Sequence, residues 1–263
     1  MAARGKARAA AVETEAELKL PLAGDPPATD PLATMEWPEP RVVRASLADQ
    51  AGEASPSRTA GLAIALGANL PSPAGPPLAT LLAVRPLLEE LLRGFVTARG
   101  AAVHWSPLFR TAPVGGPAGQ PDYLNAAVLV SPAGPPNPAA ALELLRGLQG
   151  LEQQFARRRH EHWGPRSLDL DLLWWGELRS RSEALELPHP RLLERSFVLA
   201  PLAAIDPALL PPGADAGAST LLSRLKAMGS ESAPERLMGR PGWPEKACTP
   251  GEDVLCMWDG ANA

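Results

Sequence analysis

Cysteine is almost absent from this chain of 263 residues, which contains only Cys248 and Cys256. Two cysteines near one end of a sequence can neither cross-link a small disulfide-rich fold nor supply the four ligands of a structural zinc site. We interpret them as reduced thiols of a cytoplasmic protein.

The sequence also lacks any apolar run of the roughly 18 residues that a membrane-spanning helix requires. Its basic opening, MAARGKARAA, is followed by acidic residues rather than by an apolar segment, so we expect no secretory signal. The net charge of −4 gives no general attraction to nucleic acid or to anionic membranes. We therefore expect neither nucleic-acid nor membrane partners. We also expect a monomer.

Proline and glycine are abundant, at 31 and 23 residues, and they are unevenly distributed. Residues 1–60 contain proline-rich segments without sustained apolar periodicity, and we predict that they form a disordered N-terminal extension. Regular apolar patterns are confined to residues 61–226, which we predict to be one domain. Residues 227–263 are predicted to be a flexible C-terminal tail.

Strand and helix patterns alternate within the predicted domain. The second helix has a clear start signal, because Asn137 is suited to cap it and Pro138 to occupy its first position. The order strand, helix, strand, strand, helix, strand predicts an α+β protein with a ferredoxin-like βαββαβ core and additional C-terminal helices. The predicted segments are strands at 61–70, 101–110, 123–130 and 167–173, and helices at 78–95, 137–155, 194–205 and 219–228.

The segment HWGPRSLDLDLL, at residues 162–173, is the most informative part of the sequence. Its leucines alternate with Asp169 and Asp171, so a strand here would place both carboxylates on one face, roughly 6.6 Å apart. Such a pair on a strand is most often only a solvated face. Two carboxylates on one face are nevertheless suited to Mg²⁺, which prefers oxygen ligands together with phosphate.

Basic residues accompany the acidic pair. The run RRRH begins at Arg157, and Arg166 follows a Gly-Pro turn. A basic run alone is typical of a solvated helix end. Beside two carboxylates, however, guanidinium groups indicate a polyphosphate, because the metal bridges the phosphate oxygens while the arginines neutralise charge during transfer. No GxxxxGK segment occurs, so a Walker-type phosphate loop is excluded.

These residues resemble a known family. HWGPRSLDLDLL is similar to the signature of the 6-hydroxymethyl-7,8-dihydropterin pyrophosphokinases of folate biosynthesis, and the likeness runs from about residue 61 to about 226. The resemblance implies transfer of a diphosphoryl group from ATP to the hydroxymethyl group of a reduced pterin, leaving AMP. Four further blocks resemble the family in its order: IALGANL at 64–70, FRTAPVG at 109–115, QPDYLNAAV at 120–128 and LPHPRLLERSFVLAPL at 187–202.

The resemblance implies a metal site and a set of catalytic arginines. Two Mg²⁺ ions would be held by Asp169 and Asp171 against the triphosphate. Negative charge would be compensated by Arg157, Arg159 and Arg166, the first two on a loop that closes over the site.

It also implies a pterin subsite. Tyr123 and Phe197 would stack on the flat ring, and Asn125 has the donor and acceptor to bind its edge. Thr111 and Val114 would contribute backbone groups. Outside these matching blocks, Phe197 would be expected in a core and Asn125 in a turn.

The ATP side is implied at five positions: Gln149, Glu152, Trp163, His189 and Arg195. The sequence departs from the family pattern at Ala68, Ala184, Glu186 and Pro190, which bears on ATP affinity.

Two other functions compete with the kinase interpretation. A ferredoxin-like domain can bind RNA, but such domains place aromatic residues on their central strands, where this sequence has aspartates. A metal-dependent nucleotidyltransferase would account for Asp169 and Asp171 but not for QPDYLNAAV or the block around Phe197.

Overall fold

The computed structural model describes residues 61–157, 164–229, 231–238 and 240–244. A six-stranded antiparallel sheet forms its centre, and two further strands form a separate two-stranded ribbon. The strands are β1 (Leu62–Ala68), β2 (Ala102–Trp105), β3 (Leu108–Thr111), β4 (Tyr123–Ser131), β5 (Asp169–Trp175), β6 (Ser180–Arg181), β7 (Glu186–Leu187) and β8 (Glu235–Leu237). The helices are α1 (Pro77–Arg93), α2 (Pro138–Gln154), α3 (Ser196–Ile205) and α4 (Ala218–Met228).

The main sheet has the strand order β5-β1-β4-β3-β8, and β2 also pairs with β4. The second predicted strand is broken into β2 and β3 at Ser106 and Pro107, because proline has no N–H to donate to the sheet. Ser106 remains attached to the sheet: its N–H donates to the Ala127 carbonyl and its Oγ accepts from the Ala127 N–H, both at 2.9 Å. The predicted α+β class is confirmed.

One face of the sheet packs against α1 and α2. The leucines that alternate with the two aspartates, Leu168, Leu170 and Leu172, all point to this core, as their spacing predicts. Each helix contributes an apolar stripe that is fully buried. These stripes are Leu81, Val84, Leu88 and Leu92 on α1, and Ala141, Leu144, Leu148 and Leu151 on α2.

The helix start signals act as predicted at α2. The Asn137 side chain accepts hydrogen bonds from the N–H groups of Ala139 at 2.8 Å and Ala140 at 3.4 Å, and Pro138 occupies the first turn. In α1, Pro86 lies inside a single helix rather than at the start of a second one.

The opposite face of the sheet is covered only in part. Val198, Leu202 and Ile205 of α3 pack there in a second apolar cluster, together with Trp174 of β5. Because α3 does not cover the whole face, the ends of β1, β3, β4 and β5 border an open cavity. In the part of the chain that the structure describes, no helix is both long enough and apolar enough to cross a membrane.

The ordered fold continues past residue 226, so the predicted flexible tail is wrong for its first part. Strand β8 pairs with the edge strand β3, with Leu108 opposite Leu237. Trp243 is buried, its indole ring meets that of Trp105 edge to face at 5.3 Å, and its Nε1 donates to the Ser106 carbonyl at 2.8 Å. Apolar burial therefore anchors this segment; residues 245–263 and the predicted N-terminal extension lie outside the described residues.

We expect Trp243→Ala to lower the free energy of unfolding by about 3–5 kcal/mol, because it removes a large buried side chain. Denaturant unfolding monitored by circular dichroism measures this. Met238→Ala is the matched control, since Met238 lies in the same segment but is 65% exposed. Equal stabilities of the two variants would show that the segment does not pack on the domain.

Candidate active site

The open sheet face holds a cavity of about 560 Å³. It lies between the ends of the central strands and the start of α3. Ten of the predicted site residues line it: Thr111, Val114, Tyr123, Asn125, Arg166, Asp169, Asp171, His189, Arg195 and Phe197. Residues far apart in the sequence are thus brought to one surface, as the resemblance implies.

Asp169 and Asp171 stand on the cavity side of β5, opposite Gly67 and Ala65 of β1. Burial and the charge of Asp169 raise the pKa of the Asp171 carboxyl to about 7, against the influence of Arg166 and Arg195. Without a bound cation, ionising both carboxylates at the same time therefore costs free energy.

Two arginines hold the Asp169 carboxylate. The Arg157 Nη2 lies 2.8 Å from Asp169 Oδ1, and Arg166 pairs with the other carboxylate oxygen. Arg157 also forms an ion pair with Glu152, whose Oε1 accepts a hydrogen bond from the Leu170 N–H at 2.8 Å. Glu152 thereby fastens the Arg157 side chain to the strand that carries both aspartates.

Glu152 is nearly fully buried and does not line the cavity, and burial raises the pKa of its carboxyl, against the opposing effect of Arg157. Gln149, one turn earlier on α2, is half-buried and also lies outside the cavity lining. These two of the five residues predicted on the ATP side therefore do not reach this cavity directly. Arg159 and Trp163 fall outside the described residues.

The donor set fits a magnesium ion that shares its coordination with a substrate. Within the described residues, no group of three or more His, Cys, Asp or Glu side chains is arranged to hold a metal. Asp169 and Asp171, however, face the same cavity, and their proximity makes a cation favourable there. Mg²⁺ typically takes one or two carboxylates and completes its shell with phosphate and water.

A second part of the cavity is suited to a flat polar ring. The Asn125 Nδ2 donates to Thr111 Oγ1 at 2.7 Å, which fixes the orientation of a buried amide. Gly67 is required beside it, because a Cβ at that position would lie 2.7 Å from Asn125 Oδ1. The Tyr123 hydroxyl donates to the Gly164 carbonyl at 3.2 Å, so the aromatic ring is held at the cavity edge.

The start of α3 supplies the opposite wall. The Arg195 guanidinium lies 5.3 Å from the centre of the Phe197 ring. Burial, followed by the charge of Arg195, lowers the pKa of His189 to about 4, so its imidazole is neutral near pH 7. The His189 Nδ1 accepts a hydrogen bond from the Arg191 N–H at 3.2 Å, which leaves Nε2 as the protonated nitrogen.

Two residues that were not predicted from the sequence also shape the site. The buried Asn69 accepts from the Arg166 N–H at 2.7 Å and donates to the Pro121 carbonyl at 3.0 Å, so it ties two loops of the site together. Its place in a Gly-Ala-Asn turn inside the IALGANL block was an available signal. Glu231 also lines the cavity, but it lies in the predicted tail and no pattern marks it.

The two aspartates should affect stability in opposite directions. In EDTA at pH 8, Asp169→Asn should lower the free energy of unfolding by about 1.5–3 kcal/mol, because Arg157 and Arg166 lose their charged partner.

Asp171→Asn should instead raise the Tm at pH 8, because the Asp171 carboxylate is ionised at that pH although its burial and the charge of Asp169 both oppose ionisation. Since the folded-state pKa is raised, this gain is small near pH 4, grows to about pH 7 and is then constant. Thermal unfolding at several pH values measures both effects, and a lower Tm for Asp171→Asn at pH 8 would contradict this electrostatic assignment.

Comparison with known proteins points to one family. The model of the 7,8-dihydro-6-hydroxymethylpterin-pyrophosphokinase (HPPK) family matches residues 63–207. A 2-amino-4-hydroxy-6-hydroxymethyldihydropteridine pyrophosphokinase of Pseudomonas aeruginosa is 38% identical over 151 residues, which are 57% of this chain and 83% of that protein.

A protein of the same name from Synechocystis is 43% identical over 108 residues, which are 41% of this chain and 51% of that relative, so the match spans about half of its length. Among solved structures, a triple mutant of Plasmodium falciparum HPPK-DHPS matches with a TM-score of 0.43 and 12% identity, over 67% of this chain and 46% of that one. The family match covers more than half of the chain and includes the acidic pair, Arg166, Tyr123 and Phe197. The chain belongs to the 7,8-dihydro-6-hydroxymethylpterin-pyrophosphokinase family.

Proposed function

We propose that this protein transfers a diphosphoryl group from ATP to the hydroxymethyl group of 6-hydroxymethyl-7,8-dihydropterin, giving AMP, in folate biosynthesis. The observation that carries the proposal is one cavity that contains both an acidic pair beside arginines and a subsite for a flat ring. Neither the acidic pair with its arginines nor the flat-ring subsite would by itself distinguish this reaction from other reactions of phosphate compounds.

In this proposal the pterin lies between Tyr123 and Phe197, and its edge binds the amide of Asn125. The support is that Asn125 is oriented by Thr111 and pressed against Gly67, so its free amide groups are presented in a fixed direction. Val114, which is 49% exposed at the rim, would supply backbone groups and close one side of the ring site.

The phosphates of ATP would lie on the opposite side of the cavity, towards the arginines. Arg157 and Arg166 already pair with Asp169, and Arg166 also lines the cavity, so a metal-bound triphosphate would meet the Arg166 guanidinium directly and Arg157 behind it. Asp169 and Asp171 would hold the Mg²⁺ ions, two in the proposed complex. When bound, the metal neutralises phosphate charge and makes the β-phosphorus more electrophilic.

The chain's own residues would position the reaction and balance its charge. Arg166 would compensate charge as the diphosphoryl group moves, and Arg195 would bind on the nucleotide side. The neutral His189 would donate through Nε2 to an ATP oxygen. Four further residues would act in the closed complex, in which the loop covers the site. Arg159 would compensate negative charge, and the ATP side would include Gln149, Glu152 and Trp163. Glu152 would act through Arg157.

We further propose a ferredoxin-like classification for the core. It is supported by the antiparallel order of the strands that follow one another as βαββαβ, in which β2 and β3 together take the place of the second strand. We also propose that the protein is cytoplasmic, because its two cysteines are interpreted as reduced thiols, and that it is a monomer.

The direct test is AMP release from ATP and Mg²⁺, measured with and without 6-hydroxymethyl-7,8-dihydropterin. We expect AMP only when the pterin alcohol is present. Asp171→Ala should reduce AMP release below detection, because it removes an oxygen ligand of the proposed metal site. Release that is independent of the pterin would favour an ATP hydrolase or a nucleotidyltransferase, and near-normal activity of Asp171→Ala at saturating Mg²⁺ would exclude the two-metal assignment.

Arg166→Ala should reduce turnover far more than pterin affinity. Its backbone would stay in place, because Asn69 and Leu70 bind the Arg166 backbone and not its side chain. Loss of one charge-assisted contact in the transition state costs about 2–4 kcal/mol, or roughly 30- to 1000-fold in kcat. The neutral pterin does not require this charge, so its Kd should change only a few-fold.

Steady-state kinetics and pterin titration measure the two quantities. Arg110→Ala is the matched control, since Arg110 is exposed and pairs with Glu235 outside the cavity. A collapse of pterin affinity with unchanged turnover at saturation would place Arg166 on the pterin side.

A further inference from the structure

Helix α3 begins without a capping side chain of its own. The first N–H groups of any helix have no acceptor within it, and the residue before α3, Arg195, offers none. A carboxylate from much later in the chain takes this place: Glu231 accepts a hydrogen bond from the Ser196 N–H at 2.9 Å and a second one from the Ser196 hydroxyl. Ser196 is 4% exposed, so these donors have little access to water.

The capped turn is the one that carries two cavity residues. Ser196 lies between Arg195 and Phe197 in the sequence, and both of these neighbours line the cavity. Glu231 also lines the cavity, so its carboxylate is next to the site and not behind the helix. A negative charge at this end of α3 is favoured by the helix dipole as well as by the two hydrogen bonds.

Glu231 belongs to a segment outside the matched family region, which ends at residue 207. The segment is held in place just afterwards, by the pairing of β8 with β3 and by the burial of Trp243. The carboxylate therefore reaches α3 from the connection between α4 and β8, and the far end of this connection is fixed by the pairing of β8 with β3. A rigid support of this kind is suited to orienting side chains on the turn that it caps.

We propose that Glu231 is a positioning residue: by capping the first turn of α3, it holds Arg195 and Phe197 in the orientation that binds the two substrates. This inference rests on the proposed function, in which Arg195 contacts ATP and Phe197 stacks on the pterin. Glu231 acts through Ser196 and takes no part in the transfer itself.

The test compares Glu231→Ala, Glu231→Gln and Ser196→Ala by AMP release at a temperature well below the Tm of each variant. Loss of a helix cap should raise the KM for both substrates roughly 2- to 30-fold in Glu231→Ala, with a smaller change in kcat. Glu231→Gln retains an acceptor oxygen and should fall between the wild type and Glu231→Ala. Ser196→Ala loses only the hydroxyl contact and should also be intermediate. Glu235→Ala is the matched control, because it removes the same charge from an exposed position of the same segment that does not line the cavity.

Unchanged KM values in Glu231→Ala, even with a lower Tm, would overturn the proposal and leave Glu231 a structural residue. If Glu231→Ala does not fold, the KM values of Glu231→Gln and Ser196→Ala decide the same question.

Absence of AMP release by the wild type would overturn the proposed function instead. The cap is then tested by amide hydrogen exchange, which should become faster at Ser196 and Phe197 in the Glu231 variants but not in Glu235→Ala, and unchanged exchange would refute the cap.

Discussion

The placement of the Asp169 carboxylate between Arg157 and Arg166 is the interaction on which the site depends. It joins the end of α2, the turn before β5 and β5 itself, because Arg157 is held in addition by the buried Glu152. The neighbouring Asp171 is affected differently: burial and the charge of Asp169 raise the pKa of its carboxyl to about 7, although Arg166 and Arg195 act in the opposite direction. The protein thus pairs the Asp169 carboxylate with two arginines, and in the proposed function Asp171 would bind a cation.

Close packing of small residues lets the rest of the cavity form against this cluster. Gly67 allows the Asn125 amide to approach β1, and Asn69 ties the backbone of Arg166 to the loop at Pro121. These contacts are made by backbone groups and by buried side chains at or next to strand ends, which fixes their positions. The cavity walls next to Asn125 and Arg166 are therefore held in place by the protein itself.

Much of this arrangement could be predicted from the sequence, because it follows from local spacing. Alternation in SLDLDLL predicts that leucines and aspartates lie on opposite faces of β5, and Asn137 with Pro138 predicts the start of α2. Glu152 was predicted at the ATP side but lies buried beneath the aspartates, because its position on α2 faces the sheet. Spacing along a helix identifies a face, but it does not say which partner that face meets.

The sequence by itself determined the α+β class, the family, the acidic pair and ten of the 21 residues that line the cavity, since each depends on a short motif or a local period. Only the tertiary structure decided that Glu231 caps α3 and that Trp243 closes over Ser106. Both contacts join residues far apart in the chain, and no local pattern marks either partner. The physical reason is that both contacts depend on where β8 pairs. An edge strand of three residues is too short to show an alternating pattern, so it cannot be recognised before its partner strand is known.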